Sequence, residues 1–457
     1  MVMAIFNIKS VALKWYFFTA ASVSVYEEFS HVFMKQFGLN SQQIGISNLG
    51  GVQHIFIPLL LYLGDRYRVR NLVIWIVSPL SAISSLLLLL PIVVSLPTCF
   101  GTKSISNNSI NSTEFVRVQG QNVPWMSSLF LVMIISRSSI LFLEGVAYPL
   151  ASLATITYLG NERVRYGAYY MWRHVGASTL IVGSAIIAWR VRIKICGVDG
   201  YGYFASFLIA SFFFFSSLLS LPFFKFKYET DRTFNWIEVK SVVLNGHYIY
   251  MYILTFHLGA CIAFQVFWEF WYLDGLQASP LVMGAAALIR RPLLAVFLFT
   301  SCYVIEKIGE LNTVCVSFLL FTVAFFALAF TRVYWYVLAV DTLHSAGYGL
   351  AKSALTVHFS KAGSKASSGV ILGFQSMFFI LGVDCGATFF GLLFHAIGVR
   401  STLIIYAGMT AIVLAIFLCY LKFSKHVNEY EKLPVDSDDD VDNSNANDDK
   451  KHIKNLK

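Results

Sequence analysis

The residues best placed to do chemistry lie inside a long apolar run, at 337–359. Asp341, His344, Tyr348 and Lys352 recur there at helical spacing, so on a helix they form one narrow stripe. A charge at membrane depth costs several kcal/mol unless it pairs or faces water. The stripe therefore predicts either the hydrated wall of a transport pathway or a buried, salt-bridged helix contact.

Further charges interrupt other apolar runs, at Glu28, Arg137, Glu144 and Glu269. Arg137 and Glu144 are seven residues apart and share a helix face. Burial favours the protonated form of a carboxyl group, whereas a nearby arginine favours the ionised form. A carboxylate that gains and loses such a partner can carry a proton. Glu144 is the first candidate, with Glu28, Glu269 and Asp341 as competitors, and a static Arg137–Glu144 pair is the alternative.

The composition is that of a membrane protein. Of 457 residues, 57% are hydrophobic and only 13% are charged, which is too apolar for a soluble domain. The net charge of +9 is spread over loops and helix ends instead of forming one patch, so no nucleic-acid partner is expected. Seven cysteines are too few for a disulfide scaffold.

Apolar runs of about 20 residues predict transmembrane helices, here about twelve in an all-α membrane protein. The first run carries Glu27 and Glu28 and lacks a cleavage site, so it is predicted to be an uncleaved first span. The predicted spans are 12–34, 44–63, 71–94, 126–149, 168–189, 203–224, 247–272, 281–303, 312–331, 335–358, 369–394 and 401–421.

A polar stretch at 225–246 divides these spans into two sets of six. We therefore expect an N-terminal six-helix bundle over 1–224, a cytoplasmic linker over 225–246 and a C-terminal bundle over 247–422. The remainder, 423–457, is acidic and nearly free of apolar residues, which is typical of a disordered tail.

The distribution of Lys and Arg over the loops predicts that both termini are cytoplasmic. This orientation places the loop at 95–125 outside, where its sequons at Asn107 and Asn111 could be glycosylated. Cys99 in that loop and Cys196 would also face the oxidising side. A disulfide between them and two free thiols both remain open.

Polarity is sorted by helix number. Predicted spans 3, 6, 9 and 12 carry no charge in their apolar cores, whereas spans 1, 4, 7 and 10 all do. Such a period of three predicts two pseudo-symmetric bundles around a polar centre, with one helix of each triplet facing lipid.

An internal repeat supports two similar halves. One half carries Glu28-Phe29, Gly38-Leu39 and Gly45, and the other carries Glu269-Phe270, Gly275-Leu276 and Gly284 in the same order.

Several segments resemble a known family. GLNSQQIGI at 38–46 and GDRYRVR at 64–70 resemble the start of helix 2 and the loop between helices 2 and 3 of the major facilitator superfamily. Three others resemble the major facilitator superfamily domain-containing protein 6 family, a group similar to sugar– and nucleoside–proton symporters. They are LDGLQASPLVMG at 273–284, VDTLHSAGYGLAKSAL at 340–355 and GVILGFQSMFFILGVDCGATFFGLL at 369–393.

The resemblance covers nearly all of 10–422 and implies a cytoplasmic gate at Asp65 and Arg66, where the loop would dock against neighbouring helices. A plain positively charged loop is the alternative. The chain departs from the family pattern at Leu61, where glycine is usual, at Tyr170, where arginine is expected, and at Lys352, where a large aromatic residue is expected.

These observations predict a secondary active transporter that moves a small polar or organic solute by alternating access, with protons as a candidate coupling ion. The alternative is a non-transporting membrane receptor or interaction protein on the same fold. No catalytic constellation, metal-site spacing or phosphate-binding loop occurs, so no enzyme activity, metal or cofactor is expected. We expect a monomer in contact with membrane lipid, at the plasma membrane or an endomembrane.

Overall fold

The computed structural model describes residues 8–57, 60, 63–64, 67–93, 127–159, 166–195, 198–226, 236–362 and 368–423, and these are nearly all helical. The first helices are α1 (Ile8–Ala20 and, after a turn, Val23–Gln36), α2 (Ser41–Ile46, continued by the 3-10 helix Ser47–Phe56), α3 (Arg70–Leu87, then Leu90–Val93), α4 (Ser128–Leu159), α5 (Tyr166–Arg190) and α6 (Tyr203–Ser217, continued by the 3-10 helix Leu218–Phe223).

The later helices follow a linker helix, Trp236–Val243. They are α7 (Gly246–Ala263, a π-helical turn Phe264–Trp268, then Glu269–Gly275), α8 (Pro280–Ile308), α9 (Glu310–Phe330), α10 (Tyr334–Ser360), α11 (Ser368–Ile397) and α12 (Val399–Phe423). A short hairpin of β1 (Arg192–Ile195) and β2 (Val198–Tyr201) joins α5 to α6.

Local sequence signals set several of these helix starts. At α2 the Asn40 side chain accepts a hydrogen bond from the Gln43 backbone N–H at 2.8 Å, while the Gln43 side chain accepts one from the Asn40 N–H at 3.1 Å. This reciprocal cap satisfies two donors that a helix start leaves free. Pro280 opens α8, where its missing N–H costs nothing. Gly309, at φ +83°, separates α8 from α9.

Among the described residues, eight helices are long and apolar enough to cross a membrane. They are α3, α4, α6, α7, α8, α9, α11 and α12. The others, α1, α2, α5 and α10, are shorter, interrupted or more polar. The predicted all-helical membrane fold is confirmed, and the count of twelve spans stays a prediction.

Two matched contacts join the first six helices to the last six. A Cβ on Gly45 of α2 would lie 2.9 Å from Gly391 Cα of α11, and a Cβ on Gly284 of α8 would lie 2.7 Å from the Ala185 Cβ of α5. Small residues allow these helix axes to approach closely. Gly45 and Gly284 are equivalent in the predicted repeat, so α2–α11 and α8–α5 form the same kind of contact twice, as pseudo-symmetry requires.

Large apolar side chains cover the outside of the bundle, whereas the charged side chains within the apolar runs are buried. α3, α6, α9 and α12 present large exposed residues such as Leu72, Phe212, Phe326 and Ile412. Inside the bundle, Glu28, Arg137, Glu144, Glu269 and Asp341 are all buried. The charged groups therefore face the protein interior, and the apolar helices cover the outside.

Candidate functional site

Arg290 of α8 is the centre of the buried charge network. Its Nη1 donates to Glu269 Oε2 of α7 at 2.5 Å and to the backbone carbonyl of Gln265 at 3.1 Å. Its Nη2 donates to Glu28 Oε1 of α1. All three charged side chains are at most 5% exposed. One arginine thus links carboxylates from the two halves of the molecule.

A π-helical turn, Phe264–Trp268, places Glu269 and the Gln265 carbonyl beside Arg290. Such turns insert an extra residue into a helix and are frequent at functional sites. The irregular turn is buried against α11, where the Trp268 indole N–H donates to the Ala387 carbonyl at 2.8 Å. The position of Glu269 is therefore fixed by packing and by hydrogen bonds.

Arg291, the next residue of α8, also reaches the first half. Its Nη2 donates to Glu28 Oε1 at 2.7 Å, and its side chain keeps 19% exposure. Its Nε is buried and has no hydrogen-bond partner among the described residues. Arg291 therefore keeps hydrogen-bonding capacity that the protein does not use.

Asp341 of α10 lies beside Glu269 in the same network. The two carboxyl groups are close enough to interact through a side-chain hydrogen bond, and both feel the charge of Arg290. Both Asp341 oxygens and Glu269 Oε1 are buried without a donor among the described residues. Two ionised carboxylates cannot donate to each other, so a hydrogen bond between them requires that one of them be protonated.

The polar stripe of α10 divides between two environments. His344 is buried among the rings of Phe264, Phe321 and Phe325, with centroids at 6.0, 5.4 and 4.9 Å. Neither of its ring nitrogens has a hydrogen-bond partner among the described residues. His344 therefore belongs to the packed core between α7, α9 and α10.

Tyr348 and Lys352, the other stripe residues, are partly buried and share Phe379 of α11. The Tyr348 ring stacks on Phe379 with centroids 5.8 Å apart. The Lys352 ammonium lies 4.5 Å from the same ring centroid. This geometry is a cation–π contact, which stabilises a cation beside an aromatic face.

Arg137 and Glu144 of α4 have different partners. Arg137 Nη1 donates to Ser47 Oγ at 3.0 Å, and its guanidinium lies 4.7 Å from the Phe267 ring centroid. Glu144 pairs with Arg173 of α5, whose Nη1 lies 3.4 Å from Glu144 Oε1. The static pair that we considered between Arg137 and Glu144 is not found among the described residues.

Two further ion pairs connect the halves. His54 Nδ1 of α2 lies 3.0 Å from Asp384 Oδ2 of α11, and Lys35 Nζ of α1 lies 2.8 Å from Asp274 Oδ2 of α7. The sequence analysis predicted neither pairing. Partners that are 239 and 330 positions apart leave no local signal.

Some predicted sites lie outside the described residues. They are the gate residues Asp65 and Arg66, the sequons at Asn107 and Asn111, the cysteines Cys99 and Cys196, and the tail at 424–457. In the described part of the chain, no group of His, Cys, Asp and Glu could hold a metal ion.

Two surface cavities occur away from the charge network. One, of about 380 Å³, lies between the linker helix and Phe374. The other, of about 250 Å³, lies beside Tyr272 and Arg400.

Comparison with known proteins identifies the family. A family model described as the MFS_1 like family matches residues 11–405. The nucleoside transporter NupG is similar at a TM-score of 0.68 and 13% identity, over 92% of this chain and 100% of that chain. A bacterial homologue of the human lysosomal transporter Spinster, inward-facing and unoccupied, reaches 0.67 at 11% identity over 92% and 98%. A D-xylose–proton symporter reaches 0.63 at 15% identity over 91% and 97%.

At these identities the solved structures show the fold alone. The family model spans most of the chain, and the charged helices surround a buried polar centre as sequence analysis predicted. The protein therefore belongs to the MFS_1 like family, within the major facilitator superfamily.

Proposed function

We propose that this protein is a secondary transporter that moves a small polar or organic solute across a membrane by alternating access. The observation that carries the proposal is the bond from Arg290 to both Glu28 and Glu269. A buried ion pair survives only while its partners stay together. Because Glu28 lies in the first half and Arg290 in the second, any rocking of the halves changes the partners of these charges. Such a network gives two discrete arrangements, which switching requires.

We further propose that protons couple to transport through Glu269 and Asp341. Their adjacent carboxyl groups can hold one shared proton beside Arg290. Glu144, our first candidate from the sequence, already has Arg173 at 3.4 Å. The Glu269–Asp341 pair is the better supported proton carrier because its unsatisfied oxygens need a donor.

Orientation and gating complete the proposal. Both termini lie in the cytoplasm, the loop at 95–125 lies outside, and the turn at Asp65 and Arg66 forms the inner gate. The similar structures include a nucleoside transporter, a D-xylose–proton symporter and a POT family transporter in complex with a thioalcohol-conjugated peptide, which supports a small organic cargo. The finer resemblance to the domain-containing protein 6 family remains part of the proposal.

The direct test is a solute screen with the purified full chain in proteoliposomes, with and without an inward proton gradient. We expect at least one small organic solute to accumulate, and the gradient to increase its initial rate. Glu269→Gln should abolish gradient-driven uptake, whereas Glu306→Gln, on an exposed glutamate of α8, should not. Accumulation that is equal with and without the gradient contradicts the coupling. An absence of flux for every solute contradicts the transporter.

A further inference from the structure

Lys352 has no anionic partner among the described residues. Within the described part of the chain, Arg173, Arg290 and Arg291 each pair with a carboxylate, whereas no carboxylate lies within ion-pair distance of Lys352. The acid on its own helix, Asp341, is eleven residues earlier, which is about 16 Å along the axis. A partly buried lysine that contacts only an aromatic ring keeps an unsatisfied positive charge.

Aromatic rings line the space next to this charge. The Lys352 ammonium lies over the ring of Phe379, and the Tyr348 ring stacks on the same phenylalanine. The three side chains therefore form one continuous surface.

Arg291 belongs to the ion-pair network around Arg290. Its Nη2 donates to Glu28 Oε1 at 2.7 Å, and its Nε is buried. Among the described residues, Lys352 is therefore the cation of the α10 stripe that an anionic solute would pair with.

We propose that Lys352 binds the anionic group of an organic solute whose planar ring packs against Tyr348 and Phe379. This inference rests on the transport function proposed above and assigns its substrate class, an aromatic organic anion. An anion supplies an acceptor for the Lys352 ammonium through a charge-assisted hydrogen bond. The rings provide stacking and edge contacts for a flat apolar body.

The test is binding of three compounds that share a ring and differ in charge. Indole-3-acetate, indole-3-acetamide and tryptamine carry a negative, a neutral and a positive group, and benzoate, benzamide and benzylamine repeat the series on a smaller ring. Equilibrium dialysis with the full chain in nanodiscs measures each affinity without requiring transport. We expect the anion of at least one series to bind about tenfold or more tightly than its amide, and the amine to bind least.

Variants locate the site. Lys352→Gln should remove the preference for the anion over the amide, and Lys352→Arg should keep it because the charge remains. Lys307→Gln, on an exposed lysine of α8, should leave it unchanged. If Lys352→Gln does not fold, the order of affinities in the unmodified protein decides alone.

The inference is overturned if neither anion binds, if an amide or amine binds as tightly as its anion, or if Lys352→Gln keeps the preference. Binding and flux measurements together distinguish failure of this inference from failure of the transport proposal. Binding of an anion without flux of any solute would leave the site standing and remove transport. Flux of neutral or cationic solutes alone would leave transport standing and remove the anion site.

Discussion

Arg290 illustrates how much depends on one side chain in this molecule. It pairs with Glu28 and Glu269, which occupy equivalent positions in the predicted repeat, and it also binds the Gln265 carbonyl. A buried ion pair contributes little net stability when intact, because desolvation of the charges offsets their attraction. Removing one partner is costly because the other charge is left buried without compensation. The loss of Arg290 should therefore destabilise the protein by much more than the intact ion pairs contribute to its stability.

Replacing Arg290 tests this network. Arg290→Gln should lower the free energy of unfolding by about 3 kcal/mol or more, since Glu28 and Glu269 lose their shared cation. Adding Glu28→Gln and Glu269→Gln to the same chain should recover much of that loss. Thermal unfolding in detergent measures both changes, with Arg400→Gln, on an exposed residue of α12, as control. An unchanged unfolding midpoint in Arg290→Gln would show that the network does not carry stability.

Asp341 allows the shared proton to be tested through pH. As the pH rises the proton is lost, and two negative charges are left side by side in the interior. The thermal unfolding midpoint of the unmodified protein should therefore fall with rising pH. Asp341→Asn supplies a permanent N–H donor to Glu269, so its midpoint should fall less. Parallel curves for the two proteins between acidic and alkaline pH would argue against a shared proton.

At the scale of the helix, the periodicity of α10 predicted a polar face, but it did not distinguish His344 from the other three side chains of that face. Asp341, Tyr348 and Lys352 lie within about 20° of one direction on a helix, whereas His344 lies about 60° away. That offset is enough to turn His344 toward the rings of α9. Spacing alone could not predict this, because the rings belong to other helices.

Glycines allow α11 to approach α7 closely. Gly382 and Gly386 pack against the backbone of Phe256 and Ala260 in α7. A side chain at either glycine would displace backbone, which cannot yield as a flexible side chain can.

Gly391 of α11 provides the corresponding test between the halves. A Cβ there would lie 2.5 Å from Gly45 Cα and from the Ser41 carbonyl. Gly391→Ala should destabilise the described conformation by about 1–3 kcal/mol, because α2 and α11 must move apart. Gly408→Ala is the matched control, since that position has no neighbour within 4 Å. The unfolding midpoints of the two variants check this, and equal midpoints would contradict the tight α2–α11 contact.

At the scale of the whole molecule, the contacts between the halves are concentrated at one end. We call this the outer end, where α1 ends at Gln36, α5 at Arg190 and α7 at Gly275, and the sequence predicts that it faces outside. The pair Lys35–Asp274 lies there, with the Lys35 ammonium 4.4 Å from the Trp271 ring centroid. The described conformation is therefore closed at the outer end.

A reversible cross-link would test that closure. In a chain whose native cysteines are replaced, Lys35→Cys and Asp274→Cys should be joined by a short bis-methanethiosulfonate linker, because the ion pair between the native side chains holds these two positions close in the described state. The cross-linked protein should lose transport and regain it on reduction, since the outer end must open in each cycle. The two single variants, treated in the same way, are the controls. Full activity of the cross-linked double variant would show that this end does not open.

The sequence predicted the fold class well, but it did not predict which charged side chains pair with each other. The sorting of charge by helix number predicted which helices face the interior, because lipid excludes charge from the exterior. The bonds from Arg290 to Glu28 and from His54 to Asp384 could not be predicted, since they depend on how two distant bundles dock. The assignments of Glu144 and Lys352 to a pathway remain predictions.

The sharing of Arg290 has a consequence for an empty molecule. Glu28 accepts hydrogen bonds from Arg290 and Arg291, which both belong to α8. If the two bundles separate, both arginines move away from Glu28 together with α8. Glu28 would then be an unpaired carboxylate in an apolar environment until it bound a proton or a cationic group. The protein without bound solute would therefore switch slowly between its two conformations. Unpaired Glu28 would in this way limit the flow of ions that is not accompanied by solute.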